Sequence, residues 1–262
     1  MIEQIKIGCA STKTTYGHRL DTTLVELNSD AKISGLFTSN KFKSAPVQIC
    51  LDQLETKMKG RKMLAINAGN ANAATGKKGV SDAKKLIQEI SNLTNISTTQ
   101  ILPFSTGVVG QLLDVKQLSS AFNKCFKNLS KNSWDDFAKA IMTTDTKSKI
   151  IKLPFKAGSK KYHIVGIAKG VGMIEPNMAT TLSYVFTDLK IPELTLRKLH
   201  KRICDKTFNA ISIDGDQSPS DSSILVATGS SKVNFKNYSK KIEKDIFSIF
   251  NKLSEKLVLD GE

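Results

Sequence analysis

Histidine is scarce in this sequence. His18, His163 and His200 are all it has, and they stand far apart. No His-Glu-x-x-His helix, Gly-x-Ser-x-Gly elbow or Gly-x-x-x-x-Gly-Lys-Ser/Thr phosphate loop occurs, so nothing points to zinc, a histidine-served serine or a bound triphosphate. Cysteine is nearly as rare. Cys9, Cys50, Cys125 and Cys204 form no CxxC pair and read as small buried hydrophobes rather than a disulfide framework or a metal site. Aromatics make up 6% of the chain, with no arginine-rich stripe and no RNA-binding aromatic signature. No apolar run approaches a membrane span, and Met1-Ile-Glu-Gln-Ile-Lys6 has no apolar leader core, so the expected compartment is the cytoplasm, with no nucleic-acid or membrane partner. What is abundant is lysine. The net charge of +15 is read as a solvated surface, because the lysines are scattered, and clusters such as Lys57 to Lys62 look solubilising.

With 262 residues, 40% of them apolar, the chain can bury a sizeable core in one large domain or two small ones. Residues 22–27 and 33–38 read as strands around an Asn-Ser-Asp turn, and 63–67 is a third short apolar run. Ser81 offers a cap for a helix to Leu93 that places Ala83, Leu86, Ile87 and Ile90 on one face. Helices follow over 115–126 and 134–142. Strands 150–153 and 162–167 flank a Gly-Ser turn, and 182–187 is another strand. Pro192 suits the first turn of a helix, while 211–213 and 224–227 read as strands. The last helix is the clearest, with Ile242, Ile246, Ile249, Phe250, Leu253 and Leu257 at helical spacing and Asn237 or Ser239 as cap. Strands and helices mix without regular alternation, which favours an α+β layered domain.

Three loops can carry chemistry. Lys169-Gly-Val-Gly-Met-Ile-Glu-Pro-Asn-Met-Ala-Thr180 is glycine-rich and delivers a threonine to the head of a strand. A threonine freed there by chain cleavage has its own α-amine as general base, so no histidine is needed. An acyl ester on that hydroxyl needs an oxyanion hole. Ser105-Thr-Gly-Val-Val-Gly110, a strand end running into small residues, can provide one. Asn67-Ala-Gly-Asn-Ala-Asn-Ala-Ala-Thr-Gly76 permits close backbone approach, whether to line a site or to pack tightly.

Together these segments resemble the ornithine acetyltransferase (glutamate N-acetyltransferase) family. The 169–180 loop looks like its cleavage motif, 67–76 like its small-residue signature and 102–110 like its oxyanion segment. Ala140-Ile-Met-Thr-Thr-Asp-Thr146, Ser212-Ile-Asp-Gly-Asp216 and Leu259-Asp-Gly-Glu262 fit in the family's order, as does Gly35-Leu-Phe-Thr-Ser-Asn40 followed by Ala45-Pro-Val47. The resemblance spans essentially the whole chain. Glu175, where the family usually has a small residue, and Thr181, where it often has Met, are departures.

The resemblance implies a layered α-β-β-α sandwich and a self-cleaved Ala179–Thr180 bond with Thr180 as nucleophile. Residues 1–179 would form an α chain and 180–262 the first part of a β chain. It implies Thr106 and Gly107 as the oxyanion pair, and Thr143 (with Thr144 beside it), Lys169, Thr180 and Glu262 as substrate contacts. The implied activity is transfer of acetyl from N-acetylornithine to glutamate in arginine biosynthesis. Acetyl-CoA is a donor in some members, and no metal or other cofactor is required. The cleaved chains would assemble as a heterotetramer. Members of the family continue past the Asp-Gly-Glu segment, so 1–262 is expected to be one incomplete catalytic unit. Two other readings stay open: a related self-cleaving aminopeptidase or amidase, and a non-enzymatic basic binding protein.

Overall fold

The computed structural model describes all residues except Met1, Lys57, Lys131, Asn132, 176–180 and Glu262. In chain order the strands are β1 (Ile5–Ala10), β2 (Thr22–Leu27), β3 (Lys32–Phe37), β4 (Lys62–Asn70), β5 (Ile101–Val108), β6 (Lys149–Ala157), β7 (Lys160–Lys169), β8 (Leu182–Thr187) and β9 (Ser222–Ala227). The helices are α1 (Ala45–Glu55), α2 (Gly76–Thr94), α3 (Val115–Lys127), α4 (Trp134–Ala140), α5 (Glu193–Cys204) and α6 (Ser239–Val258). The class is α+β, as expected. The chain divides into two compact units, each with one sheet and its own helices.

One unit comprises Ile5–Ser29 and Ser39–Thr143. Its sheet runs β1-β2-β4-β5, antiparallel except for the parallel β4–β5 pair. Helix α2 turns Ala83, Leu86, Ile87 and Ile90 inward, to pack with Leu118 and Phe122 of α3 and with Met63, Ala65 and Ile101 of the sheet. Gly8 lets α3 lie close on β1, since a Cβ there would stand 1.9 Å from the Cys125 carbonyl oxygen. The helix expected from Ser81 begins at Gly76 instead. Strand β1 and helix α1 were not foreseen.

The other unit comprises Met1–Gln4, Asp30–Thr38 and Thr144–Glu262. Its sheet order is β3-β9-β8-β7-β6, antiparallel except for β8–β9. A two-residue turn joins β6 to β7, with Gly158 at φ +61°, as the Gly-Ser pair predicts. Helix α6 buries Ile242, Ile246, Ile249, Phe250, Leu253 and Leu257 against this sheet. Each such burial contributes about 1.5–3 kcal/mol relative to exposure. The α6 cap is Tyr238, without a side-chain bond, rather than Asn237 or Ser239. Residues 211–213 form no strand: Ile213 N–H donates to the Ile174 carbonyl at 2.8 Å, and the segment becomes a loop.

The cysteines are free. Three are buried, and Cys9 partly so. Burial pushes the Cys9, Cys125 and Cys204 thiols up to about 12, so they are not thiolates. Lys62 departs from the surface reading: it is buried, and its ammonium donates to the Ser29 and Gly60 carbonyls at 2.8 and 2.9 Å.

Candidate functional site

Thr106 and Gly107 lie near the end of β5, just before Val108, and the 67–76 segment holds them there. Gly69 faces Gly107 in the parallel register, with an irregularity at Gly69 and Asn70. Gly107 has φ +122° and Gly69 φ +101°. A Cβ on Gly107 would stand 2.5 Å from the Gly69 carbonyl carbon and 2.8 Å from the Asn70 nitrogen, so only glycine fits.

The asparagines then lock the approach. Ser105 Oγ donates to Asn67 Oδ1 at 2.6 Å, and Asn67 Nδ2 donates to the Asn70 carbonyl at 2.9 Å. Asn70 Nδ2 reaches the Gln111 and Leu112 carbonyls at 3.2 and 3.1 Å, while its Oδ1 accepts the Asn72 N–H at 2.7 Å. Asn72 in turn donates to the Gly79 carbonyl of α2 at 3.0 Å and accepts from Thr75 Oγ1 at 2.8 Å. Main-chain bonds Ala71 N–H to Val108 O and Gly110 N–H to Ala73 O, both 2.9 Å, complete the clamp. The small-residue segment is thus a rigid support for the 105–110 turn.

The same unit brings in a loop that the sequence reading did not single out. The space beside Gly69 is filled by Thr15 and Tyr16. The Arg19 guanidinium lies 3.7 Å from the centre of the Tyr16 ring and donates to the Met142 and Thr143 carbonyls at 2.7 and 3.3 Å. A continuous line of contacts therefore runs from Gly107 through Gly69, Tyr16 and Arg19 to the backbone of Thr143. No motif marked Tyr16 or Arg19; a basic residue near an aromatic in a polar loop is too common a pattern.

In the other unit, Lys169 ends β7 and pairs in register with Leu182 at the head of β8. It is buried, and burial holds its ammonium below the usual lysine value. Asp145 and Asp221 partly offset that, and Lys149 adds to it. Asp145 is buried too. It accepts the Gly170 N–H at 2.7 Å and the Lys149 ammonium at 2.6 Å. Lys149, also buried, bridges to Asp260 at 2.5 Å, and Asp260 accepts from the Thr146 hydroxyl and its N–H. Burial pushes the Asp260 carboxyl up, but Lys149 and Thr146 outweigh it and hold it below its usual value. The Thr-Asp-Thr and Asp-Gly-Glu motifs thus meet around one buried lysine, with roles for Asp145, Lys149 and Asp260 that the motifs alone did not give.

Thr180, Ala179 and Glu262 lie outside the described residues. Among the described residues no group of His, Cys, Asp and Glu side chains could hold a metal ion, and no helix is long and apolar enough to cross a membrane.

Comparison with known proteins follows the same lines. The model of the ArgJ family matches residues 4–262. The arginine biosynthesis bifunctional protein ArgJ of Colwellia psychrerythraea strain 34H is 38% identical over 276 residues, covering 100% of this chain and 65% of that protein. The chain spans 64–65% of the length of three such curated relatives. The crystal structure of the ArgJ protein from Bacillus halodurans is similar, with TM-score 0.57 and 26% identity over 68% of this chain and 92% of that one. Ornithine acetyltransferase from Mycobacterium tuberculosis, complexed with ornithine, is similar with TM-score 0.54 and 25% identity, over 66% and 91%.

Proposed function

The chain belongs to the ArgJ family, and from that premise we propose that this protein moves an acetyl group from N-acetylornithine to glutamate in the cytoplasm, as a step of arginine biosynthesis. The observation that carries the reading is the family match over residues 4–262, within which the motif residues fall in order. The rigid seat of Thr106 and Gly107 and the burial of Lys169 support it.

In this reading Thr180 cleaves the bond to Ala179 and becomes a chain terminus. Its α-amine, with a reference pKa of about 7.7–8.0, takes the hydroxyl proton. Thr180 Oγ adds to the acetyl carbonyl, Thr106 and Gly107 stabilise the oxyanion, and ornithine leaves as the amine. The glutamate amine then attacks the acetyl ester, giving N-acetylglutamate and restoring the hydroxyl. Lys169 meets a substrate carboxylate, Glu262 meets an ammonium, and Thr143 lines the acyl donor. The cut chains remain together and pair into a heterotetramer. This transfer calls on no metal.

The test is N-acetylglutamate formation from N-acetylornithine and glutamate by the full-length protein. We expect two polypeptides, the second beginning at Thr180, and turnover of the acetyl group between the amino acids. Thr180→Ala should leave one uncut chain with no transfer. A second piece starting at Thr181, or release of free acetate without transfer to glutamate, would overturn the assignment. The same assay with acetyl-CoA in place of N-acetylornithine decides whether it serves as a second donor.

A further inference from the structure

The Ser212-Ile-Asp-Gly-Asp216 loop takes no part in the transfer chemistry above, yet it grips the chain just ahead of the proposed scissile bond. The Asp214 carboxylate accepts the N–H of Met173 and, at 2.9 Å, that of Ile174. Ile213 N–H donates to the Ile174 carbonyl at 2.8 Å. Ser212 Oγ donates to the Ile174 carbonyl at 3.3 Å and to Glu175 Oε2 at 2.9 Å. Asp214 also accepts the Asp216 N–H at 3.2 Å, so the carboxylate shapes its own loop while holding the other. Met173 has φ +53°, a left-handed conformation that a side-chain-bearing residue keeps only when its surroundings hold it there. Burial pushes the Asp214 carboxyl up, but the N–H groups of Met173, Asp216 and Ile174 outweigh it and keep it below its usual value, as an ionised acceptor.

We propose that Asp214 is a positioning residue for self-cleavage, acting through the Met173 and Ile174 amides to fix the direction in which the chain leaves Glu175. The proposal rests on the reading that Thr180 cuts its own chain. In that step Thr180 Oγ bonds to the Ala179 carbonyl carbon, the C–N bond breaks, and the hydroxyl proton passes to the departing nitrogen. Water then splits the ester, leaving a carboxylic acid on Ala179 and returning the hydroxyl to Thr180. Asp214 handles no proton; it narrows the geometries in which oxygen and carbonyl meet, and a displacement of about 1 Å costs on the order of 100-fold in such a reaction.

The test follows cleavage of newly made full-length protein by gel and N-terminal sequencing. Asp214→Ala should cut at the same bond about 10- to 100-fold more slowly. Asp214→Asn keeps one acceptor oxygen and should be intermediate. The same changes in the uncut Thr180→Ala background should leave the unfolding midpoint close to that of Thr180→Ala alone. Cleavage of Asp214→Ala at the wild-type rate overturns the proposal. So does a collapse of its unfolding midpoint, which would make the effect one of general stability. Cutting by Thr180→Ala itself would instead sink the self-cleavage reading, leaving a distinct signature.

Discussion

Thr106 is the residue where the oxyanion role can be tested most cleanly. The obvious alternative, Gly107→Pro, removes an N–H but also demands φ near −65° where the chain sits at +122°, so its effect would report distortion. Thr106→Val removes only the hydroxyl of a buried side chain and keeps its shape. We expect cleaved, folded protein with transfer lowered about 10²–10³-fold, read from kcat with circular dichroism as the control. Near-normal kcat would take the Thr106 hydroxyl out of the reaction. Thr106, Gly107 and Lys169 were named only from the family resemblance, whereas side-chain environment was legible in sequence where apolar residues keep a helical period. It was not legible where one residue type serves opposite ends. Lys62, Lys149 and Lys169 are buried among carbonyls and carboxylates, while the bulk charge of +15 pointed only to a solvated surface. Tertiary partners decide that, and composition cannot carry them.

Elements were legible where one face is apolar over several turns, as in α2 and α6, and where turn chemistry is local, as at Gly158. Strand β1 was missed because its Lys6, Gly8 and Cys9 blur the alternation, and Gly8 earns its place only through the approach of α3. Segment 211–213 looked like a strand by its two isoleucines, but its backbone bonds to Ile174 instead. One contact between elements sets a measurable pH dependence. His200 on α5 is fully buried, with Nδ1 2.9 Å from Ser34 Oγ on β3 and Nε2 2.9 Å from Ser223 Oγ on β9. Ser183 Oγ on β8 donates to Ser223 Oγ at 2.8 Å, which leaves the Ser223 proton for Nε2 and puts the imidazole proton on Nδ1. Burial pushes His200 down to about 3, so the folded state holds it neutral. Because the folded value lies below the unfolded value of about 6.5, this contribution is complete above pH 6.5 and is lost as pH falls towards 3. The slope is roughly 1.4 kcal/mol per pH unit within that window. Urea titrations of the wild type and His200→Gln across pH 4 to 7, about 1 unit apart, should show that slope only in the wild type. Equal slopes would mean that the histidine charges without unfolding the α5 contact.

At the scale of the whole molecule, strand order matters more than any single contact. In the five-stranded sheet β3-β9-β8-β7-β6, the strands β8 and β9 follow the Ala179–Thr180 bond, while β3, β7 and β6 precede it. If that bond is cut as proposed, the second chain would supply two strands inserted between strands of the first, with the β3–β9 ladder on one side and β7–β8 on the other. Cutting would therefore change the molecularity of folding. The uncut Thr180→Ala chain should refold from urea at a rate independent of protein concentration. The cut protein should refold in a second-order reaction whose yield falls on dilution, measured by circular dichroism over a hundredfold range of concentration, about what separates the two laws. Concentration-independent recovery of the cut form would show that the inserted strands are not needed to rebuild the sheet. If the second-order law holds, a matured molecule that opens in dilute solution loses its partner to diffusion. Its working lifetime is then governed by how slowly the sheet opens rather than by how favourable closure is.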